Sequence, residues 1–257
     1  MSARYRATLA YVGTDFAGWQ IQANAPRTVQ AVVEEALERL AGQPVRATAA
    51  GRTDAGVHAD GQVVHFDLPR ELEGSRLRDA ANALLPWDAR LLEVARASDG
   101  FHARRDAVWK VYLYRWSRAA VIAPREALFV APIAARADPE RMARAARALP
   151  GRRDFRVFGV RLPPRDSGVR TLHEVAVEEQ GAEIRVRLRG DAFLRGMART
   201  ICGVLADVGR GKAPVERVAE LLQTGDRRLL APKAEAKGLT LIRVAYRDAE
   251  SDDRMIG

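Results

Sequence analysis

Cysteine is almost absent from this chain: Cys202 is the single one among 257 residues. One cysteine cannot form an internal disulfide, so we expect a reducing setting. Cys202 lies in an apolar helical pattern, which predicts a core side chain and not a reactive thiol. No apolar run approaches the roughly 20 residues that span a bilayer, and Arg4 and Arg6 interrupt the first strand-like run, which argues against a signal peptide. These features predict a cytoplasmic protein with no membrane segment.

Motifs for nucleotide and metal binding are also missing. There is no G-x-x-x-x-G-K-S/T loop for phosphates and no glycine-rich dinucleotide fingerprint. The four histidines include no H-x-x-x-H pair, and no cluster of metal ligands stands out. The sequence therefore predicts a function that uses no cofactor and no metal.

Acidic residues are fewer than basic residues in this chain, which carries a formal charge of +9 and has a sequence pI near 10.3. The excess is concentrated in residues 134–170, where ten arginines and four acids leave a net charge of +6. A solvated surface in an arginine-rich chain is one interpretation. The clustering favours a nucleic-acid partner, because phosphate contacts need several arginines close together.

Residues 51–59, with the sequence GRTDAGVHA, place one carboxylate, Asp54, between two glycines. Glycine permits close backbone approaches, so such a bracket can hold a short side chain at a fixed angle. In an arbitrary sequence, Asp54 would more often cap a turn. Here Arg52 lies two residues before it and His58 four residues after it, in a chain that is otherwise strongly basic. We interpret Asp54 as a functional carboxylate and His58 as a residue whose hydrogen bonds order the loop.

Apolar spacing predicts the same order of elements, βαββαβ, in each half of the chain. In the first half we expect strands at 5–12, 45–49, 62–68 and 90–95, a helix that Thr28 caps and Gly42 ends, and a helix at 75–85. In the second half we expect strands at 108–117, 171–178, 183–189 and 239–246, helices at 139–149 and 193–208, and a further helix after Pro214. This order predicts an α+β fold of two ferredoxin-like or RRM-like halves, with mostly antiparallel sheets and a cleft between them. The expected division is 1–99 with the Asp54 loop, 100–247 with the arginine-rich insert, and a polar tail at 248–257.

The segment 51–66 resembles the catalytic motif of tRNA pseudouridine synthases of the TruA type. Residues 11–22 (YVGTDFAGWQIQ) resemble the N-terminal signature of that family. Departures at residues 99–100, 157 and 198 remove none of the residues that carry chemistry in the family. Further blocks similar to the family are 27–30 (RTVQ), 101–104 (FHAR), 112–114 (YLY), 154–155 (DF), 193–199 (FLRGMAR) and 238–241 (GLTL).

The resemblance implies an isomerase that converts uridine to pseudouridine at positions 38–40 of the tRNA anticodon stem-loop. It implies no cofactor, tRNA as the partner and a homodimer that holds it. Asp54 matches the catalytic aspartate, and whether it attacks the sugar or the base stays open. Arg199 matches the arginine that pairs with that aspartate, Tyr112 matches the tyrosine that stacks on the target base, and Arg52 matches a residue that fills the space left by the flipped base.

Two of these assignments have structural alternatives. Arg199 is followed and preceded by apolar residues, where a charge needs a partner, but it could be a surface arginine of an amphipathic helix. Tyr112 could be strand core beside Tyr114 and Trp116, which is how we interpret those two residues.

Other functions remain open from the sequence. A pseudouridine synthase for a different RNA lies in the same class. A non-catalytic RNA-binding protein of two RRM-like halves is a second candidate, but residues 62–68 and 183–189 lack the aromatic signature of such binders. A small-molecule α/β enzyme is disfavoured by the arginine-rich stretch.

Overall fold

The computed structural model describes residues 2–25, 27–160, 162 and 166–247. The chain divides into two units, Met1–Val108 with Leu241–Gly257, and Trp109–Thr240. The division expected from the sequence, 1–99 and 100–247, stays a prediction, and the polar tail at 248–257 lies outside the described residues.

Alternation of apolar and polar residues at the start of the chain forms a strand with every second side chain buried. Tyr5 and Leu9 are fully buried on its inner face, and Arg4 and Arg6 lie on the other. The elements of the first unit, before its last strand, are β1 (Ala3–Tyr11), α1 (Val29–Ala41), β2 (Thr48–Ala49), β3 (His58–Leu68), α2 (Gly74–Leu84) and β4 (Ala89–Arg96).

The second unit contains the remaining helices and most of the remaining strands. Its elements, in chain order, are β5 (Ala107–Ser117), α3 (Pro124–Ala127), β6 (Ala131–Pro132), α4 (Pro139–Ala146), β7 (Gly151–Asp154), β8 (Val169–Gln180), β9 (Glu183–Gly190), α5 (Met197–Gly209) and α6 (Arg217–Thr224). The last strand, β10 (Leu239–Tyr246), belongs to the first unit from Leu241 onward.

The strands pair mostly antiparallel, so the fold is α+β. In the first unit the strand order is β4-β1-β3-β10, and β2 pairs with β3. In the second unit the order is β5-β9-β8-β7, and β6 adds a short parallel pairing to β5. Within the described residues, none of the helices has the length and hydrophobicity that crossing a membrane requires.

Local signals define the first helix at both ends. The Thr28 hydroxyl accepts a hydrogen bond from the Ala31 N–H at 3.3 Å, and Gly42 adopts a left-handed conformation with φ 71°. A Thr cap contributes about 1 kcal/mol, and glycine enters the left-handed region without the steric penalty of a Cβ. The predicted cap and end of this helix are confirmed.

Other expected bounds were wrong. The strand expected at 45–49 is only Thr48–Ala49, and the strand expected from Gln62 begins at His58. The helix expected from Phe193 begins at Met197, because Gly196 turns the chain with φ 73°. The helix expected to reach Leu149 ends at Ala146.

The helix α5 is the most buried helix of the second unit, with eleven of its thirteen residues buried. Ile201, Cys202 and Leu205 are fully buried in it. Burial raises the pKa of the Cys202 thiol, because the thiolate would lose its hydration. Cys202 is therefore a core residue, as the sequence predicted.

Candidate active site

The loop between β2 and β3 carries Asp54. Asp54 is half-buried, Arg52 is exposed, and Thr53 between them is buried at 7% exposure. The Val57 N–H donates to the Asp54 carbonyl at 3.2 Å, which closes a tight turn after the aspartate. The loop therefore presents a carboxylate and a guanidinium two residues apart on a short, constrained segment.

The segment after β1 holds this loop through its backbone. The Trp19 N–H donates to the Thr53 carbonyl at 3.1 Å, and the Gly56 N–H donates to the Phe16 carbonyl at 3.2 Å. Gly18 has φ 93°, and a Cβ there would lie 2.7 Å from the Thr53 carbonyl oxygen. Only glycine allows the two segments to approach so closely.

Gly13 makes a second close approach, because a Cβ at that position would lie 2.0 Å from the Val57 carbonyl oxygen. The Gly13 N–H also donates to Nδ1 of the buried His58 at 3.0 Å. The predicted role of His58 in ordering the loop by hydrogen bonding is confirmed.

A buried hydrogen bond ties β1 directly to the residue before Asp54. The Tyr11 hydroxyl and the Thr53 hydroxyl lie 2.8 Å apart. Burial raises the pKa of Tyr11 to about 12, so its hydroxyl stays neutral at ordinary pH. Gln62 Nε2 adds a bond to the Gly51 carbonyl at 2.9 Å on the other side of the loop. Asp54 is thus flanked on both sides by residues with fixed partners.

Tyr112 lies on β5 in the second unit and is buried at 7% exposure. Its ring meets the Phe193 ring edge-to-face, with centroids 4.9 Å apart. This packing limits the orientations that the tyrosine can take. Its stacking on a target base stays a prediction.

Arg199 lies on α5 and is half-buried. Its Nε donates to the Ala234 carbonyl at 2.9 Å, and the Ala234 N–H donates to the Arg199 carbonyl at 3.1 Å. One turn later, a Cβ at Gly203 would lie 2.1 Å from the Pro232 carbonyl oxygen. The segment before β10 thus orients the guanidinium of Arg199, and the pairing of Arg199 with Asp54 stays a prediction.

Asp54 and Arg52 therefore share one loop of the first unit, whereas Tyr112 and Arg199 belong to the second unit. Sequence reasoning did not assign Tyr11 or Thr53 to the site. Both lie within motifs that resemble the family, but a hydrogen bond between residues 42 positions apart leaves no periodic signal. Among the described residues, no group of three or more His, Cys, Asp or Glu could hold a metal ion.

Part of the arginine-rich stretch forms internal bonds. Arg156 pairs with Asp154 at 2.5 Å, and Arg170 pairs with Asp166 at 2.7 Å. Arg161 and Arg165 lie outside the described residues. Within the part of the chain that the structure describes, five exposed arginines of this stretch form no ion pair: Arg136, Arg144, Arg147, Arg152 and Arg153.

The chain is similar to known proteins over nearly its whole length. A sequence model of a family described as tRNA pseudouridine synthase matches residues 7–104 and 145–247. These segments contain Asp54, Arg52 and Arg199, and Tyr112 lies between them.

Curated relatives carry the name tRNA pseudouridine synthase A. The protein from Solidesulfovibrio magneticus is 44% identical over 250 residues, covering 95% of this chain and 91% of that protein. The protein from Methylobacterium nodulans is 42% identical over 249 residues, covering 96% and 97%. The protein from Myxococcus xanthus is 39% identical over 246 residues, covering 95% and 92%.

Proposed function

Because the chain belongs to the tRNA pseudouridine synthase family, we propose that it isomerises uridine to pseudouridine at positions 38–40 of the tRNA anticodon stem-loop, with Asp54 as the catalytic carboxylate. The observation that carries this proposal is the Asp54 loop. A half-buried carboxylate, in a chain of net charge +9, lies on a loop whose backbone is bonded to the segment after β1. Such a fixed acid suits chemistry at one atom better than it suits RNA binding, where it would repel phosphate.

The reaction is an isomerisation and needs no external reactant. The N1–C1′ bond of uridine breaks, the base turns, the C5–C1′ bond forms and the proton on C5 leaves as N1 gains one. Asp54 acts as the nucleophile, on the sugar or on the base ring. Arg199 keeps the carboxylate ionised in a partly desolvated site, because a nearby cation favours the charged form.

The target base leaves its stack to reach the carboxylate. Tyr112 stacks on the flipped base, and its contact with Phe193 supports this by restraining the ring. Arg52 takes the place of the base in the RNA, which its exposure on the same loop as Asp54 supports. A guanidinium can stack on bases and contact phosphate at once.

The finer architecture belongs to the same proposal. Each half, 1–99 and 100–247, is a ferredoxin-like unit. The order β4-β1-β3 with β2 beside β3 supports this for the first half, since it is the order of a split βαβ sheet. The resemblance to the family further supports a cytoplasmic homodimer that holds tRNA.

Release of tritium from C5-labelled uridine in transcribed tRNA tests the function, because the label leaves only when C5 is substituted. We expect the wild type to release tritium, and the modified nucleotides to map to positions 38–40. We expect Asp54→Ala to release no more tritium than a reaction without enzyme. Asp79→Ala is the matched control: Asp79 is an exposed acid on α2 of the same unit, and its variant retains the wild-type rate.

Binding of tRNA is measured for the same three proteins. Asp54→Ala is expected to bind tRNA at least as tightly as the wild type, because a carboxylate near phosphate is removed. A wild type that binds tRNA but releases no tritium contradicts the proposed function. If Asp54→Ala retains turnover, the proposed role of Asp54 is contradicted and the proposed function is not.

A further inference from the structure

Trp87 is the exposed tryptophan of this chain. Its exposed fraction is 72%, whereas the other three tryptophans are buried. It lies in the turn between α2 and β4, directly after Pro86. A single exposed apolar residue is common on protein surfaces, so exposure alone indicates nothing.

The turn that carries Trp87 is held rigidly. An Arg90 guanidinium nitrogen donates to the carbonyls of Leu85 at 3.1 Å and Ala89 at 2.7 Å, and also to the Pro86 carbonyl. The Asp88 carboxylate, with only 3% of its side chain exposed, accepts two bonds from Arg27 at 2.7 and 2.9 Å. The indole ring is therefore displayed from a constrained backbone, which lowers the entropy lost when a partner binds.

The same turn adjoins the segment that clamps the Asp54 loop. The Val12 N–H donates to the Asp88 carbonyl at 2.9 Å, and the next residue, Gly13, abuts Val57 of the loop. The strand register also places the turn near this end of the sheet, because Tyr11 of β1 pairs with Ala59 of β3 on one side and with Ala89 of β4 on the other. The starts of β3 and β4 thus lie at the same end of the sheet as the end of β1.

A second contact leads from the turn to the loop. Arg27, which binds Asp88, lies over the Phe16 ring at 4.1 Å from its centroid. The Phe16 carbonyl accepts the N–H of Gly56, two residues after Asp54. Trp87 therefore lies at the same end of the first unit as the Asp54 loop, and this framework of contacts connects the two.

We propose that Trp87 is a stacking platform for an unpaired base of the tRNA anticodon loop, next to the nucleotide that Asp54 acts on. This inference rests on the proposed function, which brings an anticodon loop to the Asp54 loop. Bases in RNA loops are splayed out and stack on aromatic side chains, and any base can do so. The overall charge of +9 favours RNA over an apolar protein partner at this place.

Fluorescence tests the contact directly, because acrylamide quenches exposed tryptophans and three of the four are buried. In the free protein, quenching is dominated by Trp87, and Trp87→Phe removes that component. With saturating tRNA we expect quenching of the wild type to fall to the level of Trp87→Phe. This protection is measured in the wild-type protein, so a loss of stability in a variant cannot produce it.

Binding and kinetics supply the second measurement. Trp87→Ala is expected to weaken tRNA binding and raise KM about tenfold or more, the size of one lost stacking contact. Trp87→Phe keeps an aromatic face and retains most of the affinity. Leu92→Ala is the matched control: Leu92 is 51% exposed on β4, and its truncation leaves affinity and KM at the wild-type values.

Three results overturn the inference. They are unchanged quenching of Trp87 in saturating tRNA, wild-type affinity and KM in Trp87→Ala, and protection of Trp87 in free protein that grows with protein concentration. The third result assigns the ring to a contact between protein copies.

Failure of the proposed function gives a different result. If tRNA protects Trp87 in the wild type but no tritium is released, the proposed function is contradicted and the contact between Trp87 and RNA is retained. If turnover is normal but tRNA does not protect Trp87 from acrylamide, only the Trp87 contact is contradicted.

Discussion

Thr53, the residue before Asp54, has a buried hydroxyl whose partner is the Tyr11 hydroxyl at 2.8 Å. This bond joins the loop to the end of β1, and the high pKa of Tyr11, about 12, keeps it a neutral hydrogen-bonding group. We regard Tyr11 as a positioning residue, since it acts on Asp54 through Thr53.

Tyr11→Phe is expected to lower kcat about tenfold or more while KM stays close to the wild-type value, because a small displacement of a reacting group is costly. Steady-state tritium release measures both constants. The lost hydrogen bond also lowers the free energy of unfolding by about 1 kcal/mol.

Tyr5→Phe separates positioning from stability. Tyr5 is buried on the same strand, and its hydroxyl bonds with the Leu72 backbone at 2.8 and 2.6 Å, away from the Asp54 loop. Its variant should lose similar stability and keep the wild-type kcat. Equal kcat for Tyr11→Phe and Tyr5→Phe would contradict the positioning role.

At the scale of elements, α4 combines a buried apolar side with exposed arginines. Met142, Ala145 and Ala146 are buried on one side of it. Arg144 is exposed on α4, and Arg147, also exposed, caps its C-terminal end. The buried face holds the helix on the unit, so its exposed arginines present charge from a fixed surface.

Replacement of both Arg144 and Arg147 with glutamine is expected to weaken tRNA binding at low salt. The slope of log K against log salt should become shallower by roughly 1 for each phosphate contact that is lost. Filter binding at several salt concentrations measures the slope. The change leaves the core side of α4 intact, so the melting temperature should stay close to that of the wild type.

Arg125→Gln is the control, because Arg125 on α3 is highly exposed, with 91% of its side chain accessible, and lies outside the arginine-rich stretch. Its variant should keep the wild-type slope. A double variant with an unchanged slope would show that α4 does not contact phosphate.

Much at these two scales was predictable from local sequence. Thr28 and Gly42 act through neighbouring residues, and β10 is a short run rich in apolar residues, so their signals are in the chain itself. The strand β7 was missed because its four residues are all exposed and it forms only by pairing with β8. Asp54 stood out through its glycines and the motifs around it, whereas Tyr11 did not, because its partner lies on a distant segment.

At the scale of the whole molecule, stability depends on pH through His65. This buried residue on β3 accepts the Ala103 N–H at Nδ1, with the His102 ring 4.7 Å away. Burial, and then the charges of His102 and Arg4, lower the pKa of His65 below its ordinary value of 6.5.

The unfolded chain therefore binds a proton at His65 at a higher pH than the folded protein does. Its contribution to the free energy of unfolding is fully present above pH 6.5 and is lost as the pH falls through the folded-state pKa. We expect the melting temperature to drop between pH 7 and pH 5. In His65→Asn, whose amide oxygen can accept the Ala103 N–H, that drop should be smaller.

His173→Asn is the comparison for this prediction, since His173 is exposed on β8. Its melting temperatures should follow the wild-type curve at each pH. Parallel curves for His65→Asn and the wild type would contradict the assignment.

The sequence by itself determined most of the helices and strands and their order, the core position of Cys202, the basic character of the molecule and, through Asp54 and the motifs around it, the family. These properties depend on residue type, on spacing along the chain and on caps that act within a few residues. Tertiary structure alone decided that Gly13 and Gly18 clamp the Asp54 loop, that Tyr11 bonds Thr53, and that Trp87 is exposed at the same end of the sheet as that loop. Such contacts join residues far apart in the chain, and their geometry exists only once the strands have paired.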